Sequence, residues 1–256
     1  MTLGNWKELS CRHCHPRRPE GNALRIGRSL EGANNPCIHE RRRLRLERIR
    51  KKKEKALVEL RQKAEEEFNR LSINPLTLMK TLGDSIPNNA VVVDEKIPSG
   101  RALRALIRRE DPQSYFGLRG GGIGWGIPGA LGVKIALPER PVVSLVGDGS
   151  ALYSIQGLWT AARYGLAVVF VICNNRGYRI LKERTYALNG PSARTGAYIG
   201  MDLENPEIDF VGLAHSLGVP GKRVDKIDEV QRILNQALAK NAPFLIDVRI
   251  DPGFIE

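Results

Sequence analysis

The hydrophobic positions in the second half of the chain fall into short runs separated by polar or amphipathic stretches. Four of these runs are rich in β-branched residues and have the length of buried strands: 90–93, 142–146, 167–173 and 244–248. Apolar and polar positions hardly alternate within the runs, which is typical of strands that are covered on both faces of a parallel sheet.

Segments of helical spacing lie before and between the predicted strands. They are residues 76–82, 99–107, 125–137, 154–164, 208–217 and 227–238. This alternation predicts an α/β fold for residues 74–256, with a parallel sheet and helices on both faces. The polar residues 182–204 show no periodicity, and we expect either a mobile lid or an ordinary surface loop there.

A charged helix is predicted before the α/β region, because apolar residues recur at spacings of three and four between Leu57 and Leu71. We assign residues 40–73 to this linker helix. Residues 1–39 show neither helical nor strand periodicity and are rich in Arg, Gly, Pro, Asn and His, so we predict an irregular, disordered segment.

The positive charge is concentrated ahead of the predicted α/β domain. Residues 1–70 hold 19 of the 40 Lys and Arg and 10 of the 28 Asp and Glu, and therefore carry +9 of the net charge of +12. The basic run 41–53 raises an alternative from another class, a protein that binds nucleic acid or anionic lipid through this helix. No aromatic residue interleaves with the charges and no base-reading motif follows. A solvated linker helix is therefore favoured, and nucleic acid is not an expected partner.

The apolar runs and the cysteines bear on the cellular environment. The longest clean apolar run, 166–173, is far too short to cross a bilayer, so no membrane partner is expected. Four cysteines in 256 residues do not indicate a disulfide framework. We therefore predict a location in the reducing cytoplasm.

Cys11, Cys14 and His15 match the C-x-x-C-H pattern of covalent haem attachment, and Cys37 with His39 would add further zinc ligands to the two cysteines. Haem of this type is attached outside the cytoplasm, and no export signal precedes the motif. The cysteine and histidine spacing also fits no common zinc finger. We therefore predict no chemical role for these residues.

Polar residues follow two of the predicted strands at their carboxyl ends. Gly-Asp-Gly-Ser occupies positions 147–150, and Asn-Asn occupies positions 174–175. Because the carboxyl ends of parallel strands lie along one edge of a sheet, Asp148 and Asn175 are expected to face the same point. A carboxylate and an amide oxygen suit Mg²⁺ that is held together with substrate phosphates. The glycines allow backbone N–H groups to approach a phosphate closely.

This Gly-Asp-Gly and Asn-Asn pair, with a helix and a strand between its parts, resembles the signature of thiamine-diphosphate-dependent enzymes. The glycine-rich residues 120–128 and the residues up to Leu181 extend the likeness to the diphosphate-binding domain of the benzoylformate decarboxylase and acetolactate synthase group. The resemblance covers about residues 75–250. It implies the thiamine-diphosphate-binding fold, with thiamine diphosphate and Mg²⁺ as cofactors.

The resemblance also implies roles for single residues at the phosphate end of the cofactor. Mg²⁺ would be held by the side chains of Asp148 and Asn175 and by the backbone carbonyl of Gly177. Further contacts to the diphosphate are implied for Gly149, Ser150 and Tyr178.

At the ring end, the resemblance implies that Ile123 wedges between the two cofactor rings and that the Gly121 carbonyl accepts from the aminopyrimidine. The family often places hydroxyl residues after the Asp-Glu pair to hold diphosphate. Here Ile97 and Pro98 intervene, and proline has no N–H to donate. Ser99 is the residue expected to compensate.

One half of the family's active site has no counterpart in residues 1–74. In the family, a glutamate on a separate pyrimidine-binding domain of the partner subunit activates the cofactor, and full-length members are homo-oligomers. The resemblance therefore implies an incomplete 2-oxo acid decarboxylase or carboligase, or one subunit of a split enzyme, that is inactive alone. The catalytic residue is expected on another domain or chain, and the substrate is expected to be a 2-oxo acid.

Overall fold

A computed structural model of the chain describes residues 36–95, 104–107, 109 and 111–253. The chain divides into two units, Met1–Lys55 and Ala56–Glu256. The predictions made for residues 1–35, including those for Cys11, Cys14 and His15, lie outside the described residues. The same holds for Ser99 and for most of the helix that was predicted over 99–107.

The described residues of the first unit are helical. Helix α1 spans Pro36–Glu66, so it begins four residues before the start of the predicted charged helix. The side chains of the basic run 41–53 are exposed. Across the part of the chain that the structure describes, no helix combines the length and the hydrophobicity needed to span a bilayer.

Helix α1 ends earlier than its apolar spacing predicted, at Glu66 instead of Leu71. The Thr77 hydroxyl donates to the Ala64 carbonyl at 2.9 Å and so satisfies one of the acceptors that a helix leaves open in its last turn. Thr77 and Ala64 are both buried, which fixes the end of the helix against the second unit's own core. Leu71 is fully exposed, and the apolar stripe therefore ends with the helix.

The second unit is built on a six-stranded sheet in the order β2-β1-β3-β4-β6-β5, and every pair of neighbouring strands is parallel. The strands are β1 (Val91–Glu95), β2 (Tyr115–Gly117), β3 (Val142–Gly147), β4 (Val168–Asn174), β5 (Gly221–Val224) and β6 (Phe244–Arg249). The four strands predicted from the sequence are β1, β3, β4 and β6. The other two lie at the edges of the sheet, and their three or four residues are too few and too exposed to form an apolar run.

In the described part of the second unit, helices lie before and between these strands. They are α2 (Pro75–Ser85), α3 (Gly126–Ala136), α4 (Asp148–Ala151), α5 (Gly157–Tyr164), α6 (Arg179–Ala187), α7 (Pro191–Thr195), α8 (Phe210–Ser216) and α9 (Ile227–Ala239). The helix predicted over 154–164 begins three residues later than expected. The short helix α4 starts directly at the end of β3.

Helices cover the sheet on both faces, as the continuous apolar strands predicted. Val169 and Val171 of β4 belong to one buried cluster, together with residues of α2 and α9. Phe170 and Ile172, which alternate with them along the strand, belong to a second cluster with residues of α3, α5 and α8. The α/β fold with a parallel sheet between two helical layers is therefore confirmed.

Residues 182–204 are not wholly irregular, which corrects the loop that was predicted there. Most of α6 and all of α7 lie in this range. In α6 only Arg179 is buried, and in α7 no residue is buried. Neither helix therefore has the apolar stripe by which a helix is recognised in a sequence. Pro191 opens α7 at a position where proline suits the first turn.

Candidate functional site

The carboxyl ends of β3 and β4 meet at the point that the two motifs predicted. The strands are paired up to Gly147 and Cys173, and Asp148 and Asn175 come shortly after these residues. The Gly177 N–H group donates both to Asp148 Oδ2 and to Asn175 Oδ1, each at 3.1 Å. The two side-chain oxygens that were predicted to share a ligand therefore converge on a single donor.

Asp148 is buried, with 2% of the residue's surface exposed. Burial raises the pKa of Asp148 to about 6, although hydrogen bonds from the backbone N–H groups of Gly149, Gly177 and Arg176 work against this rise. None of the Lys or Arg residues in the described ranges forms an ion pair with it. A buried anion without a cation is costly, and a divalent cation would compensate it.

No group of three or more His, Cys, Asp or Glu side chains that could hold a metal ion is found within the described residues. A cation at Asp148 would therefore take its remaining ligands from amide and backbone oxygens, or from a bound molecule such as a phosphate. Oxygen ligands of this kind favour Mg²⁺ over zinc or copper.

A second segment is hydrogen-bonded to the turn that carries Asn175. The Leu203 N–H donates to the Arg176 carbonyl at 2.9 Å, and the Tyr178 N–H donates to the Met201 carbonyl at 2.8 Å. These two bonds flank Gly177, whose own carbonyl takes part in neither of them. Residues 201–203 therefore brace the turn and leave this carbonyl available to a ligand.

Gly149 lies against the aromatic ring of Tyr178. A Cβ atom at position 149 would be 2.7 and 2.8 Å from two carbons of that ring, which is closer than atoms of this type approach one another. A side chain on residue 149 would therefore displace Tyr178. In this structure the Gly149 N–H donates to Asp148 Oδ1 at 2.9 Å, so the donor expected for diphosphate is engaged by the carboxylate.

The glycine-rich loop is held by Glu95, a residue that the sequence marked only as the end of a strand. Its carboxylate is 1% exposed and accepts hydrogen bonds from the N–H groups of Gly124 and Gly126. Gly124 has φ = +87°, and a Cβ atom there would lie 2.7 Å from the Cβ atom of Tyr153, so only glycine fits. The loop presents Ile123 with 43% of its surface exposed.

These elements line one cleft at the carboxyl edge of the sheet. Seven of the nine predicted site residues line it: Ile123, Asp148, Gly149, Ser150, Asn175, Gly177 and Tyr178. Gly121 lies in the glycine-rich loop with φ = +74° and does not line the cleft, and Ser99 is outside the described residues. Sequence reasoning missed the lining residues Glu95, Arg179, Ile180 and Ile250.

The enclosed space is about 70 Å³. Pockets that enclose a drug-sized ligand measure roughly 300–1,000 Å³. The described residues therefore surround only a part of a molecule as large as a dinucleotide or a vitamin-derived cofactor.

Comparisons with known proteins agree with this geometry. Residues 99–248 match the family model described as "Thiamine pyrophosphate enzyme, C-terminal TPP binding domain". IlvX of Mycobacterium tuberculosis, named as a candidate acetolactate synthase large subunit, is 41% identical over 170 residues, which make up 65% of this chain and 33% of IlvX. Benzoylformate decarboxylase of Pseudomonas aeruginosa is 34% identical over 176 residues, covering 69% of this chain and 32% of that enzyme.

Among solved structures, the thiamine diphosphate-dependent 4-hydroxybenzoylformate decarboxylase of Rhodococcus jostii RHA1 superposes with a TM-score of 0.66. The identity is 36%, over 71% of this chain and 33% of that one. The chain thus spans about a third of the length of the relatives that it matches. The family model covers more than half of the chain and includes both strand-end turns of the cleft. The chain therefore belongs to the thiamine pyrophosphate enzyme family, and residues 99–248 correspond to its C-terminal TPP binding domain.

Proposed function

We propose that this chain supplies the diphosphate- and Mg²⁺-binding part of a 2-oxo acid decarboxylase or carboligase, of the type represented by benzoylformate decarboxylase. The observation that carries the proposal is the convergence of Oδ2 of the buried Asp148 and Oδ1 of Asn175 on one backbone N–H group. Mg²⁺ prefers such oxygen ligands and would compensate the buried charge of Asp148.

The third protein ligand in this proposal is the carbonyl of Gly177. It is supported by the hydrogen bonds on either side of Gly177, which use the Arg176 carbonyl and the Tyr178 N–H and leave the carbonyl between them unused. The remaining positions of a six-coordinate Mg²⁺ would be filled by diphosphate oxygens and water.

When bound, thiamine diphosphate supplies the carbon nucleophile that attacks a 2-oxo group and the ring that takes up the electrons released with carbon dioxide. The residues of this chain bind and orient the cofactor. Ser150 and Tyr178 line the cleft beside Asp148 and would contact the diphosphate. Gly149 would do so only if its N–H were released from Asp148 Oδ1, and its lack of a side chain keeps Tyr178 in place.

At the ring end, we propose that Ile123 separates the two rings of the bound cofactor. Its exposure in the cleft supports this, because a large aliphatic side chain at the tip of a braced loop is available for contact with a ligand. The Gly121 carbonyl is proposed to accept from the aminopyrimidine, and Ser99 to contact the diphosphate.

The proposed enzyme needs a pyrimidine-binding domain that the described residues do not contain. The small volume of the cleft supports this, since most of a bound cofactor would extend beyond this chain. That domain would carry the activating glutamate. It would lie either on the same longer polypeptide, which would assemble as a homo-oligomer, or on a separate polypeptide of a split enzyme.

We further propose that the protein works in the cytoplasm. Its four cysteines in 256 residues show no spacing that indicates a disulfide framework. This cysteine usage suits a reducing compartment.

The metal-binding role is tested by calorimetric titration of thiamine diphosphate into the chain with Mg²⁺ and, separately, with a chelator. We expect weak binding that depends on Mg²⁺ and is lowered at least tenfold by Asp148→Ala. Asp228→Ala, at an exposed carboxylate of α9, is the matched control and should leave the affinity unchanged. Equal affinity of Asp148→Ala and the unmodified chain would contradict the proposal.

The missing half is tested by adding a pyrimidine-binding domain of the same family and measuring carbon dioxide release from aromatic and aliphatic 2-oxo acids. We expect release only in the mixture. A folded complex that binds cofactor but releases no carbon dioxide from any of these acids would contradict the proposed reaction.

A further inference from the structure

The two adjacent asparagines of the Asn-Asn motif have different surroundings. Asn175 lines the cleft, whereas Asn174 is 2% exposed and is the last residue of β4. The Asn174 Nδ2 group donates to Asp247 Oδ1 at 2.9 Å, between the adjacent strands β4 and β6. Asp247 is completely buried on β6, the strand beside the edge strand β5.

The other end of the Asn174 amide holds the turn that follows β4. Asn174 Oδ1 accepts from the Arg176 N–H at 3.1 Å. Arg176 has φ = +58°, a left-handed conformation that is unfavourable for a residue with a side chain. The Asn174 side chain therefore stabilises a strained turn, and that turn presents Asn175 and Gly177 to Asp148.

A third strand supplies the charge that allows a carboxylate inside the sheet. Arg223 of β5 donates from Nε to Asp247 Oδ2 at 3.0 Å. The side chain of Arg223 is 32% exposed, and its Nη2 lies 3.6 Å from Asp209 Oδ1. Both oxygens of Asp247 are thus occupied, one by Asn174 and the other by Arg223.

The chemistry of Asp247 decides which way the Asn174 amide faces. An ionised carboxylate only accepts hydrogen bonds, so the NH₂ group of Asn174 must turn toward it. The amide oxygen must then face the opposite way, toward the Arg176 N–H. If the amide were reversed, two donors would meet at Arg176 and the turn would lose its hydrogen bond.

We propose that Asp247, held by Arg223, is a positioning residue for the metal-binding turn, because it fixes the orientation of the Asn174 amide. This inference rests on the proposed function of Asp148 and Asn175 as Mg²⁺ ligands. Asp247 does not line the cleft and would touch neither metal nor cofactor. It acts through Asn174 on the backbone that carries Asn175 and Gly177.

The test is Asp247→Asn in the full chain. An asparagine at position 247 cannot accept from both Asn174 and Arg223, since one of its two side-chain atoms is a donor. Hydrogen exchange of the peptide containing residues 174–178, measured in chelator, should become at least tenfold faster. The Mg²⁺ concentration that half-saturates thiamine diphosphate binding should rise about 10–100-fold, the usual effect of losing a residue that orients a metal ligand.

Asp209→Asn is the matched control. It makes the same acid-to-amide change at the other partner of Arg223, but it does not touch Asn174, and exchange and Mg²⁺ dependence should stay unchanged. If Asp247→Asn does not fold, Arg223→Gln on the edge strand takes its place. Its hydrogen exchange should also become faster and its Mg²⁺ requirement should also rise. Arg223→Lys should restore the values of the unmodified chain.

Unchanged exchange in folded Asp247→Asn or Arg223→Gln would overturn the inference, and so would faster exchange with an unchanged Mg²⁺ requirement. Failure of the proposed function looks different. In that case the unmodified chain and Asp148→Ala would bind thiamine diphosphate with the same affinity, independent of Mg²⁺. This result would also overturn the metal part of the inference. Hydrogen exchange in chelator would still decide whether Asp247 orders the turn.

Discussion

Asp148 and Asn175 accept hydrogen bonds from the same backbone N–H group, although 26 residues of helix and strand separate them in the sequence. Burial raises the pKa of Asp148 to about 6, because the hydrogen bonds from the backbone N–H groups of Gly149, Gly177 and Arg176 offset the lost hydration only partly. The buried carboxylate of Asp148 is therefore an electrostatically unfavourable part of the fold. A cation bound beside it would reduce this cost.

The first prediction follows from the raised pKa of Asp148. At pH 8 the carboxylate is ionised in both the folded and the unfolded chain, and a folded pKa of about 6 against an ordinary value of about 3.9 corresponds to roughly 3 kcal/mol of destabilisation. Asp148→Asn removes this charge but turns an NH₂ group toward one N–H donor, which offsets part of the gain. We expect the metal-free chain to be stabilised by about 1–2 kcal/mol at pH 8.

The measurement is urea unfolding in chelator at several pH values. As the pH falls through 6, the folded carboxyl group takes up a proton and the destabilisation is relieved, so the advantage of Asp148→Asn should shrink and vanish near pH 4. An advantage that stays constant from pH 8 to pH 4 would contradict the assignment to this carboxyl group. Mg²⁺ binding should also weaken as the pH falls through 6, because the protonated carboxyl group no longer attracts a cation.

The second prediction concerns the two glycines on either side of Asp148. A Cβ atom at Gly149 would clash with the ring of Tyr178, whereas one at Gly147 would meet nothing within 4 Å. We expect Gly149→Ala to lower the free energy of unfolding by about 1–3 kcal/mol and Gly147→Ala to change it by less than about 0.5 kcal/mol. Chemical denaturation of the two variants measures both values.

Tyr178→Ala identifies the cause of the Gly149→Ala effect. If the clash is with the ring, Gly149→Ala should cost little stability in a chain that already carries Tyr178→Ala. Full additivity of the two losses would show that the strain arises elsewhere.

The third prediction concerns Glu95, whose carboxylate accepts from two N–H groups of the glycine-rich loop. Glu95→Gln replaces one acceptor with a donor that faces Gly124 or Gly126, and an unsatisfied buried group of this kind costs about 1–3 kcal/mol. We expect a loss of stability of that size and faster proteolysis of the loop. Glu139→Gln, at an exposed position, is the control and should leave both measurements unchanged.

The sequence was sufficient to predict the pairing of Asp148 with Asn175, because each residue directly follows a continuous apolar run and the ends of parallel strands meet at one edge. It was not sufficient for Glu95 or Asp247. Each lies in or at the end of a buried strand, where a carboxylate is unusual, but their partners lie about 30 and 73 residues away in the chain. Unlike Asp148 and Asn175, these residues and their partners do not both follow the ends of predicted strands, so no pattern in a single sequence joins them.

The missed elements share a physical cause. Strand β2 (Tyr115–Gly117) has only half-buried side chains, and helix α6 (Arg179–Ala187) buries Arg179 alone, so neither has an apolar run or stripe. A periodic pattern of apolar residues arises where one face of an element is buried, so elements with little burial do not show it. The same reasoning explains why the interior strands β3 (Val142–Gly147) and β4 (Val168–Asn174) were predicted to within one residue.

The last prediction separates ligand binding from folding at Ile123. This side chain is 43% exposed in the cleft, so it contributes little buried apolar surface to the chain without cofactor. Ile123→Ala should therefore change the free energy of unfolding by less than about 0.5 kcal/mol. If Ile123 packs between the two rings of bound thiamine diphosphate, its truncation should weaken Mg²⁺-dependent binding about tenfold, because roughly 1–2 kcal/mol of apolar contact with the cofactor is lost. Ile135→Ala is the matched control, since Ile135 is 65% exposed on α3 and does not line the cleft. Calorimetric titration should thus show a lower cofactor affinity for Ile123→Ala than for Ile135→Ala, although the denaturation curves of the two variants coincide. Equal cofactor affinities would show that Ile123 does not contact the cofactor.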